Sequence, residues 1–425
     1  MERLEYTQLK ETVYFKKLSN GLRVYLIPKP EFNKTFATFT TAYGAINSQF
    51  TPRNGEHEVT VPHGVAHFLE HKMFEQVDGD VFLEFSQRGA SANAYTSLDE
   101  TCYLFSATDA VYENIETLLN FVQDPYFTDE NVEKEKGIIE QEIKMYADNP
   151  SSVSYQKMMK LLFPNHPAGI DVAGSVESVH AITKEDLYTC YNTFYHPSNM
   201  ILVVAGNFEL ETMMATIEKN QNDKVFDENQ TIVQHTVFDT SEIVERIERI
   251  KMDVAMSKVR AAIKITKDIQ DPIARLKQDF ALQFLCELAF SNTSDAYERM
   301  MADEVINNSF GTLVNYTEQY GYILFAGDTN KVDDFISELK RTFIDRSYIQ
   351  AEQLEQIKKR MTGEFLMALN SLEFVANDYA EYAFMGVSLF ELPDIIRDIT
   401  ISDVIEAHKT FFANAQLAIS VIEPK

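Results

Sequence analysis

Two imidazoles and a carboxylate stand together in the run His67-Phe68-Leu69-Glu70-His71. On a helix, residues three and four apart share a face, so His67, Glu70 and His71 point the same way. Two neutral imidazoles at that spacing can grip one zinc ion at about 2.0–2.1 Å each. Glu70 then lies beside the ion's open position, where it can take a proton from water. Phe68 and Leu69 face elsewhere and pack the helix down. The competing reading is a surface helix with two histidines and a nearby glutamate, and the five residues alone do not separate the two.

A third ligand changes that balance. Along Asn131–Tyr146 the apolar residues Val132, Ile138, Ile139, Ile143 and Tyr146 recur at helical spacing. Glu135 and Glu142 fall inside this stripe, whereas Glu133, Lys136, Glu140, Gln141 and Lys144 fall largely on the other face. Carboxylates on a buried face are costly unless something positive compensates them. A divalent cation with its histidines serves that purpose. Placement at the stripe's edge, or pairing with a Lys or Arg, is the alternative. Glu142 lies 71 residues beyond His71, with strands between them that can carry it back to the first helix.

The elements around these residues predict an α+β fold. Lys16–Ile27 reads as a hairpin turning at Asn20-Gly21, where the dipeptide supplies positive φ angles. Residues 34–43 and 92–107 read as further strands, and helices are expected near 63–74, 80–87, 110–124 and 131–146. The chain also repeats itself. Ile182-Thr-Lys-Glu-Asp-Leu-Tyr, running through Phe194-Tyr195 to Met200-Ile-Leu-Val-Val204, has a counterpart 217 positions on. That counterpart is Ile399-Thr-Ile-Ser-Asp-Val-Ile, running through Phe411-Phe412 to Leu417-Ala-Ile-Ser-Val421. Each copy reads as a Thr-capped helix followed by an apolar strand. Tyr95-Thr96 before Tyr103-Leu-Phe105 likewise parallels Tyr316-Thr317 before Tyr322-Ile-Leu-Phe325. Two homologous domains follow, 1–225 and 226–425, each a mostly antiparallel sheet packed with helices, with a polar linker from Lys219 to about Asp239.

The run His67-Phe-Leu-Glu-His71 with a downstream Glu-x(6)-Glu pair resembles the insulinase, pitrilysin and mitochondrial processing peptidase family, the inverted-motif zincins. Asp78-Gly-Asp-Val, Gly89-Ala-Ser-Ala-Asn93-Ala-Tyr-Thr96 and Tyr195-His-Pro-Ser-Asn199 look most like its short bacterial, YmfH-type branch. The resemblance implies a zinc metallopeptidase acting on peptides or unfolded segments. His67, His71 and Glu142 would hold the ion, Glu70 would be the general base, and Glu135 would support the site from behind the ligands. The spacing to Glu142 is several residues shorter than is usual in the family, as a loop deletion would leave it. Asn93-Ala94 resembles the family's edge-strand motif, which pairs with the substrate backbone; a simple hairpin turn at Asn93 is the other reading. In the second half, Gln283-Phe-Leu-Cys-Glu287 stands where the motif would recur, so one Zn2+ per chain is expected. A non-catalytic core or scaffold subunit is the alternative function.

The resemblance also raises a question of partners. Self-sufficient members carry an Arg and a Tyr seven apart in the second half, ahead of a strand. Aligned here, those places hold Asp303 and Phe310, with Arg299 or Tyr316 as substitutes if the alignment slips. A heterodimer with a zinc-less sister subunit is expected, with a homodimer as the alternative.

Composition bounds the rest. The 425 residues carry 38 Lys plus Arg against 65 Asp plus Glu, a net charge of −27 that disfavours nucleic acid and anionic membranes as partners. Cys102, Cys190 and Cys286 have no metal-type spacing and read as buried apolar residues of a reducing compartment. No apolar stretch follows Met1 and no run approaches membrane-spanning length, so a cytoplasmic location is expected. His57, His63, His166, His180, His196, His235 and His408 follow no pattern and are given no role.

Overall fold

The computed structural model describes residues 1–53, 55–77, 79–227 and 232–425. Asp78 and residues 228–231 of the expected linker lie outside them. The chain forms two compact units. The first comprises Met1–Ile143, Asp171–Thr236 and Leu366–Phe390, and the second Lys144–Ile170, Val237–Phe365 and Glu391–Lys425. Compared with a boundary at 225/226, the first unit also includes residues 226–236 and 366–390 and leaves out 144–170.

The first unit is built on a seven-stranded sheet. In spatial order its strands are Glu2–Tyr6, Glu11–Lys17, Arg23–Pro28, Met200–Gly206, Thr35–Thr41, Thr101–Ala107 and Ser91–Thr96. Every neighbouring pair is antiparallel except Arg23–Pro28 with Met200–Gly206. The expected hairpin is present, with Gly21 at φ 93°, a conformation that side chains with a Cβ rarely adopt. The expected strand over 92–107 is two strands, broken by a turn at Ser97–Glu100.

Both faces of this sheet are covered, which is why Met200–Gly206 is buried at every position. Ala37 and Phe39 join Phe68, Leu69, Leu118 and Leu119 in the core beneath the helices Val65–Met73 and Val111–Val122. Thr38 points the other way, and its hydroxyl donates to the Ala376 carbonyl on the helix Leu372–Phe384. That covering helix comes from late in the chain.

The second unit repeats the plan. Its sheet runs Arg246–Met252, Leu417–Pro424, Ser257–Lys264, Gly321–Thr329 and Gly311–Tyr316, again with one parallel pair, the first. Met200–Gly206 and Leu417–Pro424 therefore occupy the same place in the two sheets, as the repeat predicts. The helix Pro150–Leu162 lies on this sheet, with Tyr155 and Tyr322 hydroxyls 3.0 Å apart. Each sheet thus borrows a helix from the other half of the sequence.

The expected linker is partly helical. Lys219–Asn222 closes the helix Leu210–Asn222, and Val233–Gln234 pairs with Gln49–Thr51. Among the described residues no helix is long and apolar enough to cross a membrane. The three cysteines are buried and unpaired.

Candidate metal centre

The helix Val65–Met73 starts from Gly64, whose φ of 91° suits glycine. A Cβ there would run into the Ala173 carbonyl oxygen, so the helix is anchored at its first turn. Val65, Phe68, Leu69 and Met73 are buried in the core, which turns the opposite face, with His67, Glu70 and His71, outward from it.

The second helix runs Asp129–Ala147. Its buried face is narrower than the sequence suggests: Val132, Glu135 and Ile139 are buried, but Ile138 and Tyr146 are 48% and 45% exposed. The inward face is set by a seven-residue line through Val132, Glu135, Ile139 and Glu142, and the two outlying apolar residues fall off it. Both carboxylates still face the first helix.

His67, His71 and Glu142 converge, each offering a ligand atom within 4.8 Å of the others. His67 Nε2 lies 3.7 Å from Glu142 Oε1, and His71 Nε2 lies 3.5 Å from Glu142 Oε2. These gaps are too long for good hydrogen bonds. An ion holding tetrahedral ligands at about 2.0–2.1 Å sets them about 3.4 Å apart, close to these two imidazole–carboxylate gaps. His67 Nδ1 is buried and has no hydrogen-bond partner among the described residues. The residues present fit the ion.

The two imidazoles stand in opposite electrostatic surroundings. Burial, aided by the neighbouring His71, pushes the His67 pKa down to about 3, leaving a neutral imidazole. Burial also depresses His71, but the Glu135 hydrogen bond and the charges of Glu70, Glu135 and Glu142 outweigh it and raise its pKa. His71 Nδ1 lies 3.0 Å from Glu135 Oε1. An ionised carboxylate only accepts, so Nδ1 carries the proton and Nε2 presents its lone pair toward Glu142. Burial raises the Glu70 pKa, against the opposing pull of the Thr96 hydroxyl bond and of His71.

Ser91–Thr96 closes one edge of the sheet, and Asn93 pairs with Leu104 in mid-strand rather than turning the hairpin. A cleft of about 720 Å³ runs from Glu70 and His71 past Asn93 and Ala94 to Phe74, Phe82 and Tyr126. Sequence reasoning missed two residues here. Thr96 donates to Glu70 Oε2 at 2.8 Å, and Lys72 is fully buried beside Glu135. The alternation of Ser91–Thr96 could have flagged the first, and the helical position of Lys72, four beyond Phe68, the second.

Residues 56–175 match the family described as Insulinase (Peptidase family M16), and residues 181–361 match the Peptidase M16 inactive domain. The chain belongs to the M16 peptidase family. Over 425 residues it is 42% identical to the uncharacterized zinc protease YmfH of Bacillus subtilis, covering 99% of both chains. It is similar over 99% of its length, at 33% identity and a TM-score of 0.90, to the crystal structure of a putative M16-like peptidase from Alicyclobacillus acidocaldarius, all of which it covers. A shorter match, 27% identical, spans 48% of this chain and 37% of a probable mitochondrial-processing peptidase beta subunit of Arabidopsis thaliana.

In the second unit, Gln283 and Glu287 lie on the helix Pro272–Phe290. Gln283 donates to Asp279 and Glu287 pairs with Arg360. Asp303 follows the helix Asp295–Ala302, and the Phe310 ring packs against Phe290, Tyr297 and Phe335 just before Gly311–Tyr316.

Proposed function

We propose that this chain is a zinc metallopeptidase that hydrolyses peptide bonds in peptides or unfolded segments. His67, His71 and Glu142 hold a single Zn2+, Glu70 is the general base, and Glu135 orients His71. The observation that carries this reading is the convergence of two imidazole nitrogens and a carboxylate at ion-ligand spacing, with Glu70 on the same helix face. Zn2+ at such a centre supplies Lewis acidity, acidifying water and polarising a carbonyl oxygen. Glu70 takes the proton of the attacking water and returns it to the leaving amine nitrogen. Its pKa, raised by burial, suits both halves of that exchange. Asn93 and Ala94, on the outer edge of the sheet beside the cleft, pair with the substrate backbone as an added strand. Main-chain pairing of this kind tolerates many sequences.

The second half, matched by an inactive-domain description, carries no metal ligands in this reading. The chain works as the zinc-bearing member of a heterodimer. Its three free cysteines support a cytoplasmic location. A scaffold role without catalysis is the second reading, favoured only by that inactive-domain match.

Metal analysis with and without chelator, coupled to a peptide-cleavage assay, separates the two. His67→Ala and His71→Ala are expected to lose zinc and activity together. Glu70→Gln should keep zinc and lose about 10²–10⁴-fold in turnover. Normal turnover by Glu70→Gln defeats the mechanism, and zinc-loaded wild type without any cleavage favours the scaffold.

A further inference from the structure

Lys72 is the anomaly of this site. It follows His71 directly, yet its side chain has no solvent exposure. Four residues beyond Phe68 on the same helix, it occupies a core-facing position that an apolar side chain would ordinarily fill. A buried ammonium survives only where carboxylates answer it. Two do. Lys72 Nζ donates to Glu75 Oε2 at 2.5 Å and lies 4.0 Å from Glu135 Oε2.

The second of these partners matters to the chemistry. Glu135 is itself 8% exposed, and its other oxygen, Oε1, receives the His71 Nδ1 hydrogen at 3.0 Å. The Glu135 carboxyl group thus stands between the two side chains, one oxygen hydrogen-bonded to the His71 imidazole and the other 4.0 Å from the Lys72 ammonium. Around it stand Glu70, Glu75 and Glu142, a concentration of negative charge that must be held together before any cation arrives. Like charges so close push one another apart. A Glu135 side chain rotated away would no longer accept from His71, and the ring would lose what fixes Nε2 toward Glu142.

We propose that Lys72 is a positioning residue of the metal centre. Its buried side chain, beside Glu135 Oε2, holds the Glu135 carboxyl group directed at His71 Nδ1, and so sets the affinity of the His67–His71–Glu142 site for its ion. This rests on the reading of those three residues as ligands. Lys72 touches neither ion nor substrate and acts only through Glu135. The competing account is an ion pair with Glu75 that merely secures the end of the helix.

Zinc affinity, measured by competition with a chromophoric chelator, distinguishes the two. The set is wild type, Lys72→Met, Glu75→Gln, Glu135→Gln, the double variant Lys72→Met/Glu135→Gln, and His71→Ala. Lys72→Met is expected to weaken zinc binding by about 10–100-fold, the range for groups that orient a ligand. The double variant should bind no more weakly than Glu135→Gln alone, because both changes break one chain of contacts. Glu75→Gln should leave affinity within about twofold of wild type, since Lys72 then leans wholly on Glu135. The visible spectrum of the Co2+-substituted protein should shift in Lys72→Met as it does in Glu135→Gln. Wild-type affinity in Lys72→Met, or losses that multiply in the double variant, overturns the proposal. If His71→Ala binds zinc as tightly as wild type, it is the ligand assignment that fails, and the inference falls with it. Should Lys72→Met not fold, Lys72→Gln, which keeps a donor for Glu75, takes its place with the same outcomes.

Discussion

Thr96 gives its hydroxyl hydrogen to Glu70 Oε2 at 2.8 Å, joining the edge strand of the sheet to the helix that carries the histidines. The bond holds one oxygen of the carboxylate and limits its rotation. It also fixes Glu70 relative to Asn93 and Ala94 on the same strand, which in the proposed mechanism would set the register between a paired substrate and the base. Thr96→Val, nearly isosteric, should lower kcat about 3–10-fold, the worth of one hydrogen bond of about 0.5–1.5 kcal/mol. Zinc content and KM should stay near wild type, and Thr96→Ser should restore most of the loss. Steady-state kinetics with metal analysis check this; equal kcat in Val and wild type removes Thr96 from the mechanism.

The two carboxylates of the second helix should separate by role. Glu142→Gln removes a ligand, whereas Glu135→Gln removes the acceptor of His71 Nδ1. The latter change is worth about 10–100-fold in zinc affinity, and the former should exceed it. Competition titration gives both numbers. Equal affinities in the two variants mean that Glu142 is not a ligand.

How far the sequence foretold this site depended on what kind of information each residue carried. His67, Glu70 and His71 were legible because helical spacing is local: three residues on one turn must share a face. The shared helix face of Glu135 and Glu142 was legible from the apolar stripe, although Ile138 and Tyr146, counted in that stripe, prove exposed, and the choice of Glu142 as the ligand came from the family resemblance. The helix Leu372–Phe384 on the first sheet was not legible, because an amphipathic pattern tells that a face is buried and not against which sheet. Lys72 and Thr96 were missed for a related reason. A lysine beside a motif reads as solvated, and a strand threonine reads as filler, until the partners 64 or fewer residues away are brought next to them.

A second acidic group, remote from the ligands, makes stability depend on pH. Glu100 ends the turn between Ser91–Thr96 and Thr101–Ala107, accepts from the Tyr95 hydroxyl at 3.0 Å, and faces Asp378 and Glu381 of the helix Leu372–Phe384. Burial first, then the charge of Glu381, with Asp99 and Asp378 adding to it, pushes Glu100 up to about 8. Burial and Glu381 push Asp378 up to about 7. In the unfolded chain these groups titrate near 4.5 and 3.8. The folded state therefore binds these protons more tightly, and stability falls as pH rises through the window between the two values. Relative to wild type, Glu100→Gln should be stabilised increasingly from about pH 5 to about pH 8, with little difference at or below pH 4. Urea melts at four pH values test the slope, and a constant difference across them contradicts it.

The last prediction concerns the partner. The family resemblance implies an Arg and a Tyr in the second half for self-sufficient members; aligned here, those places hold Asp303 and Phe310. Phe310 is engaged with Phe290, Tyr297 and Phe335, and it has no hydroxyl to offer. The nearest substitutes are committed as well. Arg299 Nε bonds Glu338 Oε2 at 2.9 Å, and the Tyr316 hydroxyl donates to the Lys267 carbonyl. Under the proposed heterodimer, the missing donors are supplied by a second chain, a sister subunit with the Arg–Tyr pair and without the zinc motif. Purified alone, this chain should bind about one Zn2+ but cleave peptides weakly, and adding the sister should raise kcat/KM at least about tenfold, as restoring a charge-assisted contact worth about 1.5–3 kcal/mol would do. Full activity in an isolated chain that ultracentrifugation shows to be partner-free, unchanged on adding the sister, refutes the dependence.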